Sequence, residues 1–144
     1  MIYLASPYTH PDPAVREARF RAACRQAAEM SRCGISVFSP IAYSHAIAAH
    51  DLPLEWDFWE RFDRAFLETC DEVWVLTLDG WRESRGVQAE MELARELGKP
   101  VVLVEPGDAL TDQTPVTVSR AGAGRNACLP EPRRRQGEPF DATL

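Results

Sequence analysis

The sequence predicts a single α/β domain, a mostly parallel sheet of four to five strands lying between layers of helices. Three observations carry that reading. Short apolar runs recur through residues 1–105, and segments with helical spacing alternate with them, so the order reads β-α-β-α-β-α-β. The run DEVWVLTL at 71–78 is almost continuously apolar, as a strand covered on both faces must be. The first and last predicted helices also begin or end at residues suited to capping them.

Taken in order, residues 2–6 (IYLAS) form the first strand, stopped by Pro7. Asp12 followed by Pro13 is a helix-start pair, a capping side chain before a proline at the first helical position. That helix runs to about Cys33 and stops at Gly34. ISVFS (35–39) is the second strand, closed by Pro40, and residues 40–54 read as a loop. An aromatic-rich helix follows at 55–70, then the strand at 71–78 and a polar loop, DGWRES, at 79–84. A helix at 85–97 ends at Gly98, and PVVLVE (100–105) is the fourth strand. Such alternation builds a flavodoxin- or Rossmann-like three-layer sandwich.

Ligands of these sheets bind beyond the carboxyl ends of the strands, where the strand order reverses. The expected crevice is lined by Ser6, Pro7 and Tyr8, by Tyr43 and His45 of the 40–54 loop, and by Asp79, Trp81, Ser84 and Gly86 of the 79–86 loop. From 106 to 144, Pro, Gly, Thr and Arg dominate without apolar periodicity, which predicts a flexible or loosely packed tail behind a domain at 1–105.

Composition narrows the function. A net charge of −6, with one basic run (Arg133 to Arg135) confined to the tail, argues against binding a nucleic-acid polymer. No apolar run approaches the ~18–20 residues of a membrane span. The N-terminus lacks the basic start and cleavage site of a signal peptide, so a cytoplasmic protein is expected. Cys24, Cys33, Cys70 and Cys128 are widely spaced and are expected to be free thiols in a reducing compartment. His10, His45 and His50 show no metal-binding spacing, and neither a metal nor a cofactor is expected.

The strongest functional signal is the direction of two carboxylates. At about 100° per residue, Val87, Met91, Ala94, Leu93 and Leu97 define the apolar face of the 85–97 helix, and Glu90 falls inside it. Glu92 and Glu96 fall on the opposite side. In the 55–70 helix, Asp63 lies within the arc of Phe62, Phe66, Trp59, Cys70, Trp56 and Leu67. A carboxylate turned toward a core is costly unless it is paired, hydrogen-bonded or set at a cavity. Two of them on adjacent helices favour a catalytic pair over two buried caps.

These residues resemble a family. Ser84-x-Gly86-Val87-x-x-Glu90-x-x-x-Ala94, followed by Gly98-Lys99-Pro100-Val101, is similar to the signature helix of the nucleoside 2-deoxyribosyltransferase superfamily. Ile2-Tyr3-Leu4-Ala5-Ser6-Pro7 resembles its first strand and glycosyl-site turn, and Asp63 stands eight residues before Asp71 as its pattern expects. The resemblance spans residues 1–105. It departs at Glu92, where the family often has glycine, and the tail does not clearly supply the C-terminal carboxylate that a neighbouring subunit contributes in many transferases. The nearest pattern is the deoxynucleoside 5′-monophosphate N-glycosidase branch, which shares a serine at the Ser84 position.

The resemblance implies cleavage of the base–sugar bond of a (deoxy)nucleoside or its 5′-monophosphate through a covalent glycosyl-Glu90 intermediate. In it Asp63 orients the nucleophile or manages the base's proton, and Tyr3 bonds the nucleophile or the sugar. It also implies homodimers or larger homo-oligomers. Ser84 precedes a helix start, where an anion is favoured, and Gly86 allows close approach; plain capping explains Ser84 equally well. Ser6 either meets a phosphate or merely ends a strand, and Arg16 is by default solvated. Trp81 is the expected ligand-stacking indole, and Trp56 and Trp59 are expected in the core. The rival readings are a non-catalytic nucleotide-sensing module, an NAD glycohydrolase, and a structural protein whose carboxylates satisfy buried partners.

Overall fold

A computed structural model of the chain describes residues 1–107. Strands β1 (Ile2–Ala5), β2 (Val37–Phe38), β3 (Glu72–Leu76) and β4 (Val101–Val104) form one all-parallel sheet in the order β2-β1-β3-β4. Helices α1 (Pro13–Arg32), α2 (Pro40–Ala48), α3 (Trp56–Thr69) and α4 (Arg85–Glu96) connect them. The fold class read from the sequence is therefore the observed one. In register, Ile2 pairs with Val37 on one side and Glu72 on the other, so β1 sits between the edge strand β2 and the central strand β3.

Side chains alternate across a strand, and β1 divides accordingly. Ile2 and Leu4 join Trp74, Leu76, Val104 and Met30 in an apolar cluster beneath α1. Tyr3 and Ala5 face the other way, with Val73 and Val75, against Leu67, Val87, Met91 and Ala94 of α3 and α4. The chain crosses from one layer to the other between β1 and β3, and this reversal opens a crevice at the carboxyl ends of those strands.

Local chemistry fixes the elements. Asp12 caps α1 by accepting from the Ala14 N–H at 2.8 Å, with Pro13 at the first helical position. Ser84 caps α4 by accepting from the Val87 N–H. Lys99 reaches back from the start of β4 to the carbonyls of Glu68 and Cys70, satisfying acceptors at the end of α3. Arg19 of α1 joins the two loops beside the crevice: it donates to the Thr9 carbonyl at 2.9 Å and the Asp79 carbonyl at 2.8 Å. Gly80, next to Asp79, has φ +81, and a Cβ there would stand 2.9 Å from the Arg19 guanidinium. The positive φ favours glycine, and any side chain there would also displace the Arg19 guanidinium.

Two expectations are corrected. Residues 40–54 are not wholly a loop, because α2 occupies Pro40–Ala48; Ser39 accepts from the Ala42 N–H at 3.3 Å and Pro40 opens the helix. Among the cysteines, Cys24 and Cys70 are free as expected, whereas Cys33 is disulfide-bonded. The tail expected at 106–144, with Cys128, lies outside the described residues apart from its first two positions. No helix among the described residues is long and apolar enough to cross a membrane.

Candidate active site

A cavity of about 400 Å³ opens at the carboxyl ends of β1 and β3. Ser6 and Tyr8 line it from the loop after β1, and Ile41, Ser44 and Ala48 from α2. Trp56, Trp59 and Asp63 enter from α3; Ser84, Gly86, Val87 and Glu90 enter from the start of α4. The volume lies within the ~300–1,000 Å³ usual for small-molecule sites.

Glu90 is 4% exposed and Asp63 9%, and both reach this cavity. The Tyr3 hydroxyl, wholly buried beneath the sheet's α3/α4 face, donates to Glu90 Oε1 at 2.6 Å. Burial pushes the Glu90 carboxyl up to about 8; the Tyr3 bond works against this, and the Asp63 charge adds to it. Burial alone lifts Asp63 to about 7. Burial, followed by the charges of Glu90 and Asp63, raises Tyr3 well above the usual phenol value. The two carboxyls therefore share protons near neutral pH, and Tyr3 stays a hydrogen-bond donor.

Of the other residues expected in the crevice, Ser6, Tyr8, Ser84 and Gly86 line the cavity. The Ser6 hydroxyl is buried and has no hydrogen-bond partner. Pro7 is fully buried, and His45 stands behind Tyr8, its Nδ1 2.9 Å from the Tyr8 hydroxyl. Pro7 and His45 are thus not among the lining residues, and neither are Tyr43, Trp81 and Asp79. Tyr43 is half exposed and packs against Phe38 and Phe66. Trp81 packs on the α3/α4 core with the Arg82 guanidinium over its ring, 4.6 Å from the centroid. Asp79 is exposed and offers its carbonyl to Arg19. Arg16 is not simply solvated: it donates to the carbonyls of His10 and Pro11.

The aromatic wall comes instead from Trp56 and Trp59, which the sequence reading assigned to the core. The Trp59 indole N–H donates to the Pro53 carbonyl at 2.7 Å, which fixes its ring. Trp56 lies across Gly86, where a Cβ would meet the indole at 3.1 Å. Helical periodicity gives a direction along the sheet face but does not distinguish filled core from cavity wall, so these two indoles were hidden by it. The cue was their place in the same arc as Asp63, less than two turns away.

Carboxylates outnumber cations at the cavity: Glu55 and Glu83 line it with Asp63 and Glu90, and Arg85 pairs with Asp57 at 2.8 Å. Among the described residues, no group of three or more His, Cys, Asp or Glu is placed to hold a metal ion.

The sequence model of a family described as a domain of unknown function (DUF1937) matches residues 1–106. No curated protein matches the chain. Among solved structures, a 2-deoxyribosyltransferase from the psychrotolerant bacterium Bacillus psychrosaccharolyticus is similar, with a TM-score of 0.51 and 24% identity. The likeness covers 77% of this chain and 76% of that one, and establishes a shared fold.

Proposed function

We propose that this chain, which belongs to the DUF1937 family, cleaves or transfers the N-glycosidic bond of a nucleoside or its 5′-monophosphate, with Glu90 as nucleophile. One observation carries the reading. A buried glutamate reaches a ligand-sized cavity, gripped by a buried tyrosine and coupled to a second buried carboxyl. A purely structural carboxylate has no need of a cavity, and a simple binding site has no need of two carboxyls whose ionisation burial opposes, one of them raised further by the charge of the other. The shared fold with a 2-deoxyribosyltransferase adds support.

In the proposed reaction a Glu90 carboxylate oxygen attacks the anomeric carbon. The carbon–nitrogen bond breaks, its electron pair goes to the base, and Asp63 supplies the proton that makes the base a good leaving group. The product is a glycosyl ester of Glu90. Tyr3 donates to the nucleophile's oxygen before attack and again as the ester is broken. Water or a second base then attacks the same carbon, Asp63 takes its proton, and Glu90 leaves as carboxylate, with net retention. Catalysis needs Glu90 ionised while Asp63 keeps a proton, so the working form of the pair holds one proton between them. Its activity peaks between the two ionisations, near pH 7 to 8.

The indoles of Trp56 and Trp59, with Ile41 and Leu54, suit a flat heterocycle. The serines of the cavity, with the orphaned Ser6 hydroxyl and the α4 N-terminus behind Ser84, suit a sugar hydroxyl or a phosphate. Glu55 and Glu83 weigh toward the uncharged form. The test is chromatography of base release from a panel of ribo- and deoxynucleosides, their 5′-monophosphates and NAD, with and without an acceptor base, beside Glu90→Ala. Release by the wild type is expected, with a loss of at least about 10⁴-fold in the variant. No release from any member, or equal release by both proteins, would defeat the proposal. Binding without release would instead support a sensing module.

A further inference from the structure

Tyr8 follows β1 into the cavity wall, and its hydroxyl is the inner end of a chain of three side chains. His45 Nδ1 lies 2.9 Å from that hydroxyl, and His45 Nε2 lies 3.3 Å from Glu17 Oε2. Phe20 stacks on the imidazole at 3.9 Å and 9°, and the Tyr8 ring meets it edge-on at 89°. Arg21 holds the other Glu17 oxygen at 2.6 Å. Carboxylate, imidazole and phenol thus lead from the surface to the cavity, in the order of a hydrolase triad with a phenol in place of the alcohol.

The chemistry of the groups fixes the sense of each bond. A carboxylate only accepts, so an imidazole with a single hydrogen carries it on Nε2, toward Glu17, and leaves Nδ1 as an acceptor. The Tyr8 proton is then committed to His45, and the phenol oxygen presents lone pairs to anything else that meets it. Arg16 also flanks this hydroxyl as a donor, so a ligand donor would share the phenol oxygen with it. We propose that the Glu17–His45–Tyr8 chain makes Tyr8 a specificity-determining hydrogen-bond acceptor, which selects a nucleoside that carries an O–H or N–H donor against this wall. The inference rests on the cavity being a nucleoside site. A sugar hydroxyl and an exocyclic amine are the two sources of such a donor.

Calorimetric binding tests this apart from catalysis, in Glu90→Gln protein so that ligand survives the titration. The parent ligand is the tightest-binding nucleoside of the panel above, compared with analogues lacking in turn its 3′-hydroxyl, its 5′-hydroxyl and its exocyclic amine. One analogue is expected to bind at least about tenfold more weakly than the parent, because the phenol oxygen loses the ligand's hydrogen bond and, its own proton committed, has nothing to offer in exchange. Which analogue suffers identifies the donor. That penalty should fall below about twofold in Tyr8→Phe and in His45→Leu, where the phenol is absent or free to donate, and return in His45→Asn, whose amide oxygen accepts in place of Nδ1. A penalty unchanged in Tyr8→Phe, absent without the substitution, or not restored by His45→Asn overturns the inference, as does failure of every nucleoside to bind. Discrimination of this kind without base release would leave it standing while the glycosidase reading falls.

Discussion

The two faces of the sheet are built from the same strands to opposite ends. Beneath α1, Ile2, Leu4, Trp74 and Leu76 meet Met30 in an apolar layer. Toward α3 and α4 the alternate residues of those strands meet a layer that is interrupted: Tyr3 spends its hydroxyl on Glu90, and Asp63 stands beside them at a cavity. One face maximises burial, whereas the other accepts two carboxyls whose ionisation burial opposes. Neighbouring residues of β1 therefore have different jobs, and substitutions should separate stability from activity between positions 3 and 4.

The largest expected effect belongs to the apolar face. Leu4→Ala should lower unfolding free energy by about 3–5 kcal/mol, read by denaturant titration, and leave turnover of the surviving folded protein within about threefold. Turnover that collapsed with the protein still folded would break the division. Asp63→Ala should do the reverse, cutting base release about 10²-fold, roughly 2.7 kcal/mol in barrier, while the fold tolerates it.

Glu90→Gln sharpens the contrast further, since it should raise stability as it removes the nucleophile. The folded protein holds the Glu90 proton up to about 8, whereas the unfolded chain releases it near the ordinary 4.5. Stability of the parent is thus lost progressively as pH climbs between those values. The gain from glutamine should be small at pH 4.5 and reach on the order of 2 kcal/mol above pH 8. Paired thermal melts at pH 5 and 8.5 would read it, and a gain no greater at the higher pH would contradict the burial argument. Smallest is Tyr3→Phe, with about a tenfold drop in turnover. Because the Tyr3 bond holds the Glu90 carboxyl down, and Glu90 has the higher of the pair's two ionisations, its loss should also move the alkaline limb of the pH–rate profile to higher pH. A profile that stays in place would deny Tyr3 that role.

Much of this division was legible in the sequence because it rests on periodicity. Alternation along β1 and β3, and the wheel positions of Glu90 and Asp63, are direct consequences of regular geometry. The α2 helix was missed although Ser39-Pro40 carries the same start signal as Asp12-Pro13; a short helix with little amphipathic contrast leaves no other trace. Tyr43 and Trp81 were expected at the ligand because their segments flank the crevice. Proximity of a segment does not fix the direction of a side chain, and each ring instead found aromatic or apolar partners. Trp56 and Trp59 failed in the opposite sense, since an inward direction fits a cavity wall as well as a packed core.

Arg19 ties the loops after β1 and β3 together through the carbonyls of Thr9 and Asp79, and its bonds ignore the side chains of both. The two rims of the cavity are thereby held in position by a contact indifferent to their sequence. Amino acids at those loops can be exchanged without loosening the frame, provided Gly80 is kept. For library design, this makes Thr9, which lines the cavity, the position at which to randomise substrate preference, and Arg19 and Gly80 the ones to leave alone.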